Sequence, residues 1–434
     1  MNSLCGFFRL AATASAIVLV HFAVALIGLA PAQAAATEVT NMQGLYEDGR
    51  GVVAVTPFGE FGDGFFFIDY VGGRVGPVVP KAGGFAIGSG MKNAKDEAGT
   101  LLSTATGLSA TYDGAQRALR KVPVEREPFV AANGDVNLAG EFVSRAGAKS
   151  KGVVVIVHGS NDSPRNVYGP WVYYLAARGW TVAVYDKRGS GQSTGDWRKG
   201  DFTELASDAR AAATFARHKL DLGSRPVGML GISQAGWVMP LAAQSAGFDF
   251  IVSLAGAAVT PAQQTLELVE GQLKAYEFPP VEIEKAMAYY RLDLDVTTGR
   301  KPWPDVDAAF KKATAEKAEW LLGPPESADS AARAFLGRIA AFDPAPHWAK
   351  LHIPVLGIFG GKDSVVPADP NRALLDKALA ANGNPATKTI VIPDVNHVGM
   401  IAKTGTFAEY QTLNHYDPAY FSTFGDWLEK LARP

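Results

Sequence analysis

Cysteine is almost missing: the 434 residues contain one, Cys5. It lies in an apolar N-terminal segment and lacks the small-residue context of a lipidation box, so a chain cleaved after that segment would carry no thiol. Disulfides, thiolate zinc sites and cysteine nucleophiles are thereby excluded together. Charge of one sign is missing too. Lys and Arg number 41 against 43 Asp and Glu, a net charge of −2 with no long basic run, which removes nucleic acid from the expected partners. There is no repeat at a fixed period, and no low-complexity tract beyond an Ala-rich start. Without disulfides, an exported chain of this kind must hold together through its core.

That start has the layout of an export signal. "MNSLCGFFR" carries one positive side chain, and "LAATASAIVLVHFAVALIGLA" is apolar apart from small polar residues and His21. "PAQAAAT" then supplies an A-x-A site, Ala32-Gln33-Ala34, with cleavage expected after Ala34. Residues 1–34 therefore read as a signal peptide, and the mature protein as periplasmic or secreted. The apolar run is long for a signal peptide and also suits an uncleaved membrane anchor, the one circumstance in which a membrane would be a partner. With 46 Gly and 26 Pro, the rest suits a loop-rich enzyme better than a helical bundle. Its length admits one large α/β domain with additions, or two to three smaller units.

Residues 37–122 are Gly-rich, with alternating runs such as "GVVAVTPF" and "GFFFIDYVGGRVGPVVP" that predict a small β-rich accessory domain. "VEREPFVAANGDVNLAGEFVS" predicts a hairpin turning at "NGD". Six apolar runs follow, at 152–159, 180–186, 225–233, 248–256, 353–361 and 388–394. They are too continuous for half-buried strands and fit parallel strands covered on both faces. Helical patterns alternate with them, which predicts a doubly wound, mostly parallel α/β sheet over 123–258 and 346–434. Between 259 and 345 four helical patterns occur with no strand among them. This is expected to be a helical cap over the C-terminal edge of the sheet, where such folds place ligands.

Two stretches compete for a serine nucleophile. "GQSTG" at 191–195 matches G-x-S-x-G letter for letter, whereas "LGISQAGW" at 230–237 has Ala235 in place of the last glycine. The motif works as a sharp turn from a strand directly into a helix, which raises Oγ out of the sheet. Ser233 has both flanks, "VGMLGI" before it and "QAGWVMPLAAQ" after it. Gly231 and Gly236 keep the crowded turn clear, and alanine at 235 costs little if its φ is negative. Ser193 lies in continuous loop, with no helix before Phe202, and reads as a polar residue of a glycine turn. Ser233 is the expected nucleophile.

Acid and base should follow in the order Ser, Asp or Glu, His. His397, in "VIPDVNHVGM" just after the last strand, is placed to act as the base. His415 is its competitor, His158 reads as a loop-fixing residue, and His218 as solvated. Asp363, in "IFGGKDSVVP" directly after the penultimate strand, is the expected acid, with Asp394 as second candidate. Oxyanion donors are expected from the backbone N–H of Gln234 and from the loop after "VVVIVHG", at Ser160 or Asn161. No metal or organic cofactor is required by this chemistry.

Taken together, "VHGSNDSPRNVYGPWVYYLAARGWTVAVYDKRGSGQSTGDW", "LGISQAGWVMPLAA", "IPVLGIFGGKDSVVP" and the "NH" at 396–397 resemble the α/β-hydrolase superfamily. More narrowly they are similar to its bacterial esterase and serine-aminopeptidase-like branch with an extra N-terminal domain. The resemblance covers about 150–434, apart from the helical insertion. It implies Ser233, Asp363 and His397 as a triad, and Asp186 and Arg188 as structural residues of the loop beside the site. Two features depart from the pattern: Ala235, and a tail after His397 longer than a short final helix. The leading expectation is an exported carboxylic-ester hydrolase acting through an acyl-enzyme on a small-molecule ester. Trp237, Met239, Tyr168 and Trp171 are expected near its acyl pocket. A peptidase or amidase is the alternative, with Glu267, Glu270 and Glu277 as weak candidates for receiving an amino terminus. A hydrolase fold that binds without turnover is the third reading.

Overall fold

The structure, a computed structural model, describes residues 41–245 and 247–432. The expected export segment, with Cys5 and the cleavage position predicted after Ala34, lies outside the described residues.

The Gly-rich region is a closed antiparallel barrel of eight strands. These are β1 (Gly44–Asp48), β2 (Gly51–Pro57), β3 (Phe65–Asp69), β4 (Val75–Lys81), β5 (Gly84–Gly90), β6 (Asn93–Thr104), β7 (Gly107–Tyr112) and β8 (Ala115–Val122). β1 closes on β8 through Leu45 opposite Val122, so no edge is left unpaired. Strand alternation sends Val53, Val55, Phe67, Ile87, Leu101 and Leu119 into the barrel interior. Arg117 is buried with them and satisfied, its guanidinium reaching Asp48 at 2.6 Å and Asp69 at 2.9 Å. The stretch "AQRALRKVP", ambiguous as sequence, is β8.

The second unit is an eight-stranded sheet in the order β16-β15-β14-β13-β11-β12-β10-β9. The predicted hairpin forms β9 (Val124–Asn133) and β10 (Val136–Arg145), turning through Gly134 at φ 57°. The six apolar runs form β11 (Val153–Val157), β12 (Thr181–Tyr185), β13 (Val227–Ile232), β14 (Ile251–Leu254), β15 (Val355–Gly360) and β16 (Lys388–Ile392). These six are mutually parallel, with the antiparallel hairpin at one edge.

Helices cover both faces. α1 (Gly169–Ala177) follows β11, and α2 (Phe202–Lys219) follows β12. α2 starts at a capping box in which Asp201 and Glu204 exchange side-chain and backbone hydrogen bonds. Its Ala209, Ala212, Ala213 and Ala216 let it approach the sheet closely. α3 (Ala235–Ala243) follows β13 without an intervening loop. The cap comprises α4 (Pro261–Ala275), α5 (Pro280–Thr297), α6 (Trp303–Ala315) and α7 (Ala331–Ile339), with its own core around Val269, Tyr289, Tyr290 and Trp320. The short α8 (Ala345–Trp348), α9 (Ala368–Leu379) and α10 (Pro418–Leu431) complete the chain.

The barrel's outer face is continuous with one core of the sheet. Leu45, Phe58, Phe66, Ile68 and Tyr70 pack in the same cluster as Val154, Ile156 and Trp171. The Tyr70 hydroxyl donates to the Pro170 carbonyl at 2.7 Å. The long tail after His397, a departure from the family pattern, explains itself here. Val75 N–H donates to Asn414 O, Met91 N–H to Leu413 O and Tyr416 N–H to Gly73 O, each at 2.8 Å. The tail therefore fastens the barrel to the α/β unit, and His415 belongs to this seam, facing Asp113 at 3.3 Å.

Candidate active site

Ser233, Asp363, His397, Ser160 and Gln234 all lie within five residues of the C-terminal end of a parallel strand, and so collect at that edge of the sheet. Ser233 joins β13 to α3 at φ 60°, a left-handed conformation that non-glycine residues rarely adopt. The turn is held by its backbone: Ser233 N–H donates to Leu254 O at 3.1 Å, and Ser233 O accepts from Gly236 N–H at 2.9 Å. Any Cβ on Gly231 would strike the Ala235 methyl, and one on Gly236 would strike the Ala257 backbone. Ala235 itself is helical, so its methyl fits in the space that Gly231 vacates.

Asp363 lies after β15 with its side chain fully buried. Its Oδ1 accepts from the backbone N–H of Val365 and of Val366, both at 2.8 Å. Its Oδ2 faces His397 Nδ1 at 2.8 Å. With Nδ1 donating to the carboxylate, neutral His397 carries its lone pair on Nε2. The His397 loop is braced by Asn396, whose Oδ1 accepts from Met400 N–H at 3.0 Å. Asp394 is exposed on the same loop and takes no part in the pairing.

Ser233 and His397 line one cavity of about 440 Å³, together with Ser160, Tyr168, Trp171 and Trp237. The Ser233 hydroxyl makes no hydrogen bond among the described residues; nucleophile–base contacts are often loose before substrate binds. The cap contributes Pro261, Gln264, Leu268, Leu322 and Ile339 to the cavity wall. Met239 lies in the core behind the turn instead. Glu267, Glu270 and Glu277 do not reach the cavity.

Residues 148–397, more than half of the chain, match the family model described as serine aminopeptidase, S33. The chain belongs to this family. Esterase EstD of Thermotoga maritima is 27% identical over 317 residues, spanning 71% of this chain and 69% of that protein. Among solved structures, a Pyrococcus furiosus esterase aligns at 17% identity with a TM-score of 0.44, over 71% of this chain and 92% of that one. The proline iminopeptidase of Mycobacterium smegmatis aligns at 16% identity with a TM-score of 0.45, over 70% and 99%.

This S33 family member has a further wall that its sequence does not disclose. The loop between β2 and β3 brings Gly59, Glu60, Phe61 and Asp63 from the barrel into the cavity. Glu60 is solvent-exposed at this wall, with protein packed around it. Withdrawal from bulk water pushes the Glu60 carboxyl above the usual carboxylate range, partly opposed by His397 and Lys92. For His397, burial works against the imidazolium, but the Asp363 charge and hydrogen bond, with Glu60 adding to them, hold its pKa above the ordinary histidine value.

Two further histidines do not line the cavity. His158 Nε2 meets the Tyr185 carbonyl at 2.7 Å, and burial pushes its pKa down to about 3. His218 is exposed on α2. Asp186 accepts from Arg165 N–H at 2.7 Å and Gln192 N–H at 2.8 Å, and Arg188 pairs with buried Asp208 at 2.6 Å. Tyr168, expected from the sequence only near the pocket, also braces the loop after β11. Its hydroxyl accepts from Gly159 N–H at 2.9 Å, which occupies that donor and leaves Ser160 as the next N–H along the loop.

Proposed function

We propose that the protein is an exported serine hydrolase that cleaves carboxylic esters through an acyl-enzyme on Ser233. The observation carrying this reading is the 2.8 Å pairing of His397 Nδ1 with a backbone-anchored Asp363, beside a strained Ser233 that lines the same cavity. Ser233 Oγ attacks the ester carbonyl carbon, the carbonyl electron pair moves onto oxygen, and His397 Nε2 takes the hydroxyl proton. The oxyanion is received by the backbone N–H groups of Gln234 and Ser160. Its collapse expels the alcohol, which leaves with the proton from His397. Water then attacks the acyl-enzyme, giving its proton to His397, and the acid departs as Ser233 is reprotonated. Trp237, Trp171, Leu268 and Ile339 make the cavity walls predominantly apolar, which suits an uncharged acyl group. Treatment with a fluorophosphonate followed by peptide mapping tests the assignment. A single adduct on Ser233 is expected; an adduct on Ser193, or none on a folded protein, sinks it.

A second reading, cleavage of amides next to a free amino group, is favoured by one observation: the acidic residue Glu60 lines the cavity. Turnover of an amino-acyl anilide at a rate near that of the matched ester would support it. Export rests on the A-x-A site at Ala32–Ala34, and N-terminal sequencing of the mature protein should read from Ala35.

A further inference from the structure

Lys187 follows β12 and is 1% exposed, unusual for a lysine. Its Nζ donates to three acceptors: Gly159 O at 3.0 Å, Asn161 O at 3.1 Å and Gln234 Oε1 at 2.9 Å. An ammonium has three N–H groups, so the site is filled with none left over, and a neutral amine would leave one acceptor facing a lone pair. Lysine accepts no hydrogen bond, so the Gln234 amide must turn its oxygen toward Nζ. The face of the Trp197 indole lies 4.5 Å from Nζ and completes the cage.

Those acceptors belong to the two segments that supply the oxyanion donors. Gly159 C=O and Ser160 N–H are the two ends of one planar trans peptide, so fixing the carbonyl aims the N–H in the opposite direction. Gln234 is the other donor residue. Resting on the serine-hydrolase reading above, we propose that Lys187 is the positioning residue of the oxyanion site. It ties the Gly159–Ser160 peptide to Gln234 through one ammonium and sets a positive charge behind the expected donors.

The surroundings are consistent with a charge kept at some cost. Burial pushes the ammonium down to about 7; Asp162 and Asp208 work to hold it up, and Arg198 works against it. Burial, with Lys187 adding to it, holds the His158 pKa well below the ordinary histidine value. A buried cation with its donors divided between the two segments expected to supply the oxyanion donors serves a developing negative charge better than it serves stability.

The test compares wild type with Lys187→Met, normalised to active sites titrated by fluorophosphonate. Two ketones of one frame serve as probes. The trifluoromethyl ketone adds to Ser233 Oγ as an anionic hemiketal, its oxygen taking the carbonyl electron pair and His397 the serine proton. The methyl ketone binds without adding. Lys187→Met should lower kcat for an activated ester by about a hundredfold, the scale of one lost oxyanion donor, with KM within threefold. Inhibition by the trifluoromethyl ketone should weaken by a similar factor, and inhibition by the methyl ketone should not change. A kcat within threefold of wild type, or equal weakening of both ketones, would overturn the proposal. If the variant does not fold, Gln234→Leu decides, since it keeps the backbone N–H but severs it from Lys187. About a tenfold loss with the same split between ketones is expected, and no change refutes. Ser233→Ala separates the two levels: if it still hydrolyses ester, the reading beneath has failed, whereas an inactive Ser233→Ala beside an unaffected Lys187→Met removes only the role of Lys187.

Discussion

The loop around Ser193 and the turn around Ser233 each set a serine between glycines at the C-terminal edge of one sheet. Ser193 Oγ donates to Asp186 O at 2.6 Å and accepts from Ala139 N–H at 2.9 Å, so its hydroxyl is consumed in pinning the loop after β12 to β10. Ser233 has the opposite allocation. Its backbone is bonded and strained, and its hydroxyl is left to the cavity. A serine becomes a nucleophile by what its main chain is made to do, while its side chain stays unengaged.

Replacing each serine in turn should separate these roles most sharply. Ser233→Ala should lower ester turnover by a factor on the order of 10⁴ or more while leaving the thermal midpoint nearly unchanged. Asp363→Asn keeps the shape but no longer selects the tautomer with its lone pair on Nε2, and a loss on the order of 10³–10⁴ in kcat is expected. Ser193→Ala should do the reverse of Ser233→Ala. It leaves a buried N–H and a buried carbonyl without their partner, costing about 1–3 kcal/mol by denaturant titration, while kcat per titrated site stays within threefold. A Ser193→Ala enzyme that is stable but inactive would break the comparison.

Smaller effects sharpen it. As the proposed base, His397 must be neutral to take a proton, so activity should rise with pH through its pKa, which lies above the ordinary histidine value. Glu60 contributes to holding the imidazolium. Glu60→Gln removes that contribution, lowers the His397 pKa, and should move the acidic limb of kcat/KM to lower pH with the plateau unchanged. An unmoved limb would show Glu60 to be electrically remote from the base. Ala235→Gly, which restores the literal motif, should leave kcat within twofold and cost about 1 kcal/mol through lost packing and helix propensity.

Much of this was legible in the sequence because it is local. The six apolar runs mark the strands buried on both faces, and the strand–serine–helix order of 227–243 marks the elbow. Asp363 and His397 each directly follow such a run. What was not legible depends on which loops meet in space. Closure of the barrel through Leu45 and Val122 leaves no pattern in either strand. Glu60 lies far along the chain from His397 and reads as one acid in a Gly- and Phe-rich loop. Lys187, beside Asp186 and Arg188, looks like one more charge in a polar turn until burial and three acceptors are known. The tail after His397 looked like an excess, because its partners lie on the barrel.

Attachment of the barrel by residues 413–416 also gives the cavity a shared fastening. Gly59, Glu60 and Phe61 stand on a loop of the barrel, and the barrel is held by a segment that follows the His397 loop in the chain. Two walls of one chamber, hundreds of residues apart in sequence, thus hang from the same short strap, and a change made in that strap would be felt at the chamber without touching any residue that lines it.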